Sequence, residues 1–166
     1  MIFGQPLAVG DLVLKNRLVM VPIATGRADE RGHVTQRLCE HYAARARRGY
    51  LGLVECGHHF VCDEGRATSR QASIAHDDDI ESLKLEAAAV HAEGTPVFVQ
   101  LSHAGSATTK ALTGTLPLAP SAVTCPGAKV GHPLPRPMDA EDIARVPSLF
   151  SAAARRARMA GFDGVE

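Results

Sequence analysis

No stretch of this sequence approaches the roughly 20 consecutive apolar residues that a membrane-spanning helix needs. Nor is there an excess of either charge, since 18 Lys plus Arg balance 18 Asp plus Glu. A chain without net charge has no global field to draw it to nucleic acid or to an anionic lipid surface. Two local basic runs, Arg45, Arg47 and Arg48, then Arg155, Arg156 and Arg158, fall near expected helix C-termini, where cations suit the helix dipole. They read as solvated faces and not as a nucleic-acid patch. The four cysteines, Cys39, Cys56, Cys62 and Cys125, include no C-x-x-C pair, so free thiols in a reducing, cytoplasmic setting are expected. Residues 1–10 show no basic segment followed by an apolar stretch, and no secretory signal is expected there. Also missing is a glycine-rich phosphate loop after the first apolar strand, which argues against a dinucleotide-binding fold.

What is present is a run of strand and helix signals. With 45% hydrophobic residues over 166 positions, the chain is long enough for one domain with a real core. Leu7–Val9 and Leu12–Leu14 flank Gly10-Asp11, which suits a hairpin turn. The apolar run at 17–21, ended by Pro22, reads as a strand buried on both faces, as in a parallel sheet. Thr35 is expected to cap a helix that places Leu38, Tyr42 and Ala46 on one face and stops at Gly49. A strand at 51–55 then leads into a loop rich in His, Cys and Gly. Asp77, Asp78 and Asp79 suit the start of a second helix, with Ile80, Leu83, Ala87 and Val90 at helical spacing. Glu93-Gly94 ends it and Pro96 opens a strand at 97–101. A long loop at 102–137 carries six of the ten prolines, and loops of that length are commonly functional. Asp139 caps a last helix with an apolar stripe of Ile143, Val146, Phe150, Ala153, Ala154 and Ala157. Pro147 is predicted to kink or split it. Gly161 ends that helix, and a further strand begins at 162–166.

Alternation of this kind predicts an α/β fold with a parallel sheet covered by helices. Pattern alone leaves two architectures open, part of a (β/α)8 barrel or a small doubly wound sheet. A complete barrel needs about 250 residues. Cys56, His58, His59 and Cys62 invite a metal reading. Cys56 and Cys62 stand six residues apart, however, and adjacent histidines diverge, whereas zinc sites favour short paired spacings; no metal ligand is expected. A metal-dependent, hydrolase-like barrel fragment built on this loop is the competing reading.

A set of motifs carries a family resemblance across essentially the whole chain. Leu14-Lys15-Asn16-Arg17-Leu18-Val19-Met20-Val21-Pro22-Ile23 resembles the LKNR-hydrophobic-APM opening of old yellow enzyme relatives. His41-Tyr42-Ala43-Ala44-Arg45-Ala46 is similar to their YY-x-x-RA helix. Gly52-Leu53-Val54-Glu55 resembles their second strand, and Gly65-Arg66 matches the GR that follows. Gln100-Leu101-Ser102-His103-Ala104-Gly105 resembles QLxHAGR, Ala119-Pro120-Ser121-Ala122 the APS segment, and Ala160-Gly161-Phe162-Asp163-Gly164-Val165-Glu166 the AGFDGVE strand. Any one motif is weak; seven in order are strong together.

The resemblance implies a TIM barrel of which the first four strand–helix units, with an N-terminal hairpin, are present as a half barrel in residues 1–166. It implies FMN bound at the C-terminal mouth of the strands, NADH or NADPH as reductant, and a small electrophilic acceptor such as an activated alkene. Pro22, Ile23 and Ala24 are expected to lie against the flavin ring, Cys56 to offer backbone at its pyrimidine side, and Gln100 to meet the pyrimidine edge through its amide, which donates and accepts at once. Ala24 departs from the Thr, Cys or His of many relatives and brings no polar atom to tune the flavin; Thr25 is the nearest substitute. His103 is expected to be structural, and Arg27 to be a solvated loop residue or a contact to substrate or phosphate. The family's substrate-binding His, and the His or Asn three residues on, would follow Glu166, as would the FMN phosphate anchor and, in some relatives, an iron–sulfur cluster. No catalytic residue is therefore assigned within 1–166, and the isolated fragment is expected to be inactive. Its open sheet edges would favour self-association. A non-catalytic half barrel that binds a flavin or a partner is the runner-up reading.

Overall fold

The structure is a computed structural model whose described residues are 1–125 and 133–166; residues 126–132 of the predicted proline-rich loop lie outside them. The hairpin forms as its turn chemistry predicts. β1 (Leu7–Val9) pairs antiparallel with β2 (Leu12–Leu14), and Gly10 takes the positive φ of 58° that the turn demands. There follow β3 (Val19–Met20), α1 (Gln36–Ala46), β4 (Leu53–Phe60), β5 (Ala72–Ser73), α2 (Ile80–His91) and β6 (Val97–Ser102). The long connection holds a single turn, α3 (Lys110–Thr113), and a short pair, β7 (Leu118–Ala119) with β8 (Arg136–Pro137); α4 (Ala140–Ala160) and β9 (Gly164–Val165) close the chain.

The main sheet runs β3-β4-β6-β9, every neighbour parallel, with β5 beside the end of β4. Strand order therefore follows chain order without reversal. A doubly wound sheet reverses its order at a switch point, so the topology is that of a barrel arc. The predicted fourth unit is represented by its strand, β9. Val54, Cys56, Val97 and Val99 line the helix-covered face and pack against Leu83, Ala87, Val90 and Ala157. By alternation, Glu55, Gly57, Phe98 and Gln100 point to the opposite face.

Capping is as predicted. Thr35 Oγ1 accepts from Leu38 N at 3.3 Å, and Asp139 and Asp142 form a reciprocal capping box on α4. Gly161 ends α4 with φ 91°. The basic runs tie elements together: Arg47 pairs with Glu93, and Arg155 and Arg156 both pair with Asp77.

Four expectations need correction. β3 is two residues long and is not buried on both faces: Val19 is 39% exposed and Val21, just beyond it, 63%. β4 does not stop at Glu55 but continues to Phe60, through the stretch read as loop, because it resumes pairing with β6 and gains β5 after a register shift between Cys56 and His59. α4 is not split at Pro147. The proline is exposed, so the hydrogen bond it deletes falls on the solvent side, where water satisfies the freed carbonyl. Ile143, counted in the apolar stripe, is also exposed. Among the described residues no helix is long and apolar enough to cross a membrane.

Candidate functional site

The C-terminal ends of β3, β4 and β6 bring three residues into one row on the face turned away from the helices. Gly57 of β4 lies between Pro22, just past β3, and Gln100 of β6. A Cβ placed on Gly57 would stand 2.7 Å from Pro22 Cβ, 2.8 Å from Gln100 Cβ and 3.1 Å from Gln100 Oε1. No real side chain fits there, so Gly57 is buried between the Pro22 pyrrolidine ring and the Gln100 side chain, which close over it from either side. Gln100 Nε2 donates to Glu166 Oε2 at 3.3 Å. Glu55, one turn of the pleat below Gly57, has its pKa pushed up by burial and then by the Glu166 charge. Ile23 and Ala24 continue the chain past Pro22 and are exposed. Ala24 and Thr25 also border a narrow crevice shared with Leu38, Tyr42, His58 and Gln71.

Gly57 is held from behind by Tyr42 of α1. The Tyr42 hydroxyl accepts from Gly57 N at 3.1 Å and donates to Gly57 O at 3.4 Å. The ring is buried, and burial pushes its pKa far above the ordinary tyrosine value. From the sequence Tyr42 is a helix-face residue and part of the YY-x-x-RA resemblance, with no link to Gly57. The signal was present, a glycine inside an apolar strand pattern, which marks a bulge or a close approach.

Cys56, expected to contribute backbone to the site, has its thiol on the helix side, fully buried. Its pKa is raised by desolvation and then by the charge of Glu86, which agrees with an unreactive thiol. Glu86 of α2 is itself fully buried and meets His59 Nε2 at 2.9 Å. A polar pair thus sits directly under the strand end that carries the row.

The remaining His and Cys residues of this stretch do not converge on one another. His58 Nδ1 accepts from Gln71 Nε2 at 2.7 Å and lies 3.0 Å from Ser102 Oγ; burial, followed by the charge of His59, lowers its pKa. Cys62 instead comes together with Glu64 and His103, their ligand atoms within 4.8 Å of one another. His103 Nδ1, however, accepts from Gly105 N at 3.0 Å, which leaves the ring proton on Nε2, the atom that faces Glu64. Arg145 of α4 holds the Glu64 carboxylate. A ring protonated at the inward nitrogen and a carboxylate already paired with a guanidinium form a polar brace that pins α4 to the turn after β4, not a ready set of metal ligands. Burial lowers the pKa of His103 and raises that of Cys62 to about 11. His103 is therefore neutral and structural in this arrangement.

A parallel barrel arc with Pro22, Gly57 and Gln100 in a row at its C-terminal strand ends matches the face at which barrel enzymes build their sites. The chain belongs to the NADH:flavin oxidoreductase / NADH oxidase family, whose match covers residues 2–166. It is 39% identical over 160 residues to an NADH oxidase of Thermoanaerobacter brockii, covering 95% of this chain and 24% of that protein. It is 33% identical to a probable flavin mononucleotide-dependent alkene reductase of Leishmania infantum, covering 98% of this chain and 47% of that one. The structure superposes on the old yellow enzyme homologue from Zymomonas mobilis with a TM-score of 0.90 and 31% identity, over 98% of this chain and 47% of that chain. The chain thus spans half or less of the relatives it matches, from 16% to 48% of their length.

Proposed function

We propose that this chain forms the flavin-facing half of an FMN-dependent oxidoreductase that carries hydride from NADH or NADPH to an electron-poor alkene or a similar small acceptor. The observation that carries the reading is the Pro22–Gly57–Gln100 row. A planar heteroaromatic ring needs a floor without projecting side chains and an edge that both donates and accepts. Gly57 suits the first, since it adds no side chain between Pro22 and Gln100, and the Gln100 amide suits the second. Pro22, Ile23 and Ala24 would lie along the ring, the Cys56–Gly57 backbone at its pyrimidine side, and Gln100 at its edge. Bound FMN would supply the two-electron chemistry between reductant and acceptor. The residues of this chain would orient the ring and exclude water from beneath it. No residue within 1–166 is assigned an acid or base role; His103 is braced and neutral, and Cys56 faces away.

The test is to add the 166-residue chain to FMN and follow quenching of flavin fluorescence. One-to-one saturable quenching, weakened when Gln100 is replaced by Leu, is the expected result. Absence of quenching at every protein concentration that stays soluble overturns the reading.

A further inference from the structure

We infer that Tyr42 is a positioning residue for the flavin floor, an inference that rests on the flavin reading above. β4 pairs with β6 through Cys56↔Val99, and pairing then resumes at His59↔Leu101. Gly57 and His58 therefore stand opposite Gln100 alone, a bulge with one extra residue at which the ladder is disrupted. Gly57 is buried, so an N–H and a C=O that lose their ladder partners must find others or cost free energy. One atom serves both: the Tyr42 hydroxyl accepts from Gly57 N and donates to Gly57 O. A buried tyrosine needs some partner in any fold, and any nearby carbonyl would serve. This hydroxyl instead takes both backbone groups of the single residue wedged between Pro22 and Gln100. The ring of α1 thereby fixes the height and tilt of the peptide on which the cofactor would rest. With Phe at 42 the bulge keeps its packing but loses both bonds, and the Gly57 peptide is free to rotate into the seat.

The experiment compares the wild-type chain with Tyr42→Phe, at a temperature where circular dichroism shows both folded, titrating each with FMN and with lumiflavin, which has the ring but no ribityl phosphate. Tyr42→Phe is expected to bind both flavins about tenfold more weakly, the scale of one lost hydrogen bond to a buried group. The same factor is expected for each, because the defect lies under the ring. A purely structural role predicts a lower melting temperature with unchanged affinity in the folded range, and that result overturns the inference while leaving the flavin reading standing. Wild-type chain that binds neither flavin overturns both. If Tyr42→Phe does not fold, fluorine NMR decides. The sequence has two tyrosines, and Tyr50 is exposed, so 3-fluorotyrosine labelling gives one resonance for each. Lumiflavin is expected to shift the Tyr42 signal and leave Tyr50 in place; an unmoved Tyr42 signal at saturation overturns the inference.

Discussion

At the scale of single residues, the site depends on what is absent at position 57. Gly57→Ala puts a methyl group within 2.8 Å of two neighbouring Cβ atoms that belong to different strands. Neither Pro22 nor Gln100 can retreat without moving backbone, so the substitution is expected to cost about 1–3 kcal/mol of stability, as overpacking does. It should also weaken flavin binding roughly tenfold or more, the effect of about 1.4 kcal/mol. Urea unfolding and flavin titration measure the two effects separately. The buried pair behind the row gives a second prediction. Glu86→Leu leaves His59 Nε2 without its partner in the core, and leaving a buried polar group unsatisfied typically costs about 1–3 kcal/mol. The double replacement His59→Leu with Glu86→Leu removes both polar groups and is expected to cost clearly less than the single one, a non-additivity that a double-mutant cycle by denaturant melts would read directly. Gln100 and Pro22 could be proposed from sequence because their motifs are distinctive. Gly57 and Tyr42 could not be paired that way, because the contact joins residues fifteen apart across two elements, and a bulge leaves little mark in hydrophobic periodicity.

At the scale of elements, starts and stops were legible and strand lengths were not. Thr35, Asp139, Gly49 and Gly161 act locally, through caps and positive φ, so their signals lie in adjacent residues. Where β4 ends is decided by what pairs with it at His59 and Phe60, which no local pattern carries. Pro147 shows the same limit from the other side: intrinsic preference predicted a kink or a split, and the helix runs unsplit through it, held by its capping box and the packing of Ala153, Ala157 and Ala160. The penalty should remain recoverable. Pro147→Ala restores an N–H at an exposed position and is expected to raise stability by about 1–2 kcal/mol, less than the full helix-interior penalty of proline because the unfolded chain also gains freedom. A rise in melting temperature confirms it, and a fall shows that the ring makes a packing contact worth more than the bond. The N-terminus of α4 is also pH-sensitive. Asp142 has its pKa lowered from 3.8 to about 2, chiefly by the Arg136 hydrogen bond. A carboxyl with a depressed folded pKa contributes stability that is fully present above its unfolded value, near 3.8, and is lost as pH falls through the folded one. The stability advantage of wild type over Asp142→Asn is therefore expected to be constant above about pH 5 and to shrink toward pH 2, in paired melts at fixed ionic strength.

At the scale of the whole molecule, the sheet is an arc and not a ring. Among the described residues its outermost strands, β3 and β9, each present an unpaired edge, and Val19, Val21, Ile23 and Val165 near those edges are exposed. In the relatives, of which this chain spans half or less, further sequence is available to cover such edges. An arc by itself offers parallel backbone groups and apolar side chains to whatever meets them, and another copy of the same arc is the partner always present at high concentration. Self-association of the 166-residue chain is therefore expected to depend on the edges and not on the helix-covered face. Val19→Lys and Val165→Lys place charges on the two edge strands without entering the core. Sedimentation velocity across a concentration series should show the wild-type chain growing in mass and the doubly substituted chain staying monomeric with its circular dichroism intact. A wild-type chain that remains a monomer at every concentration, and unfolds cooperatively, would show instead that the arc hides its own edges. It would then be a folding unit in its own right, onto which the rest of a barrel is added.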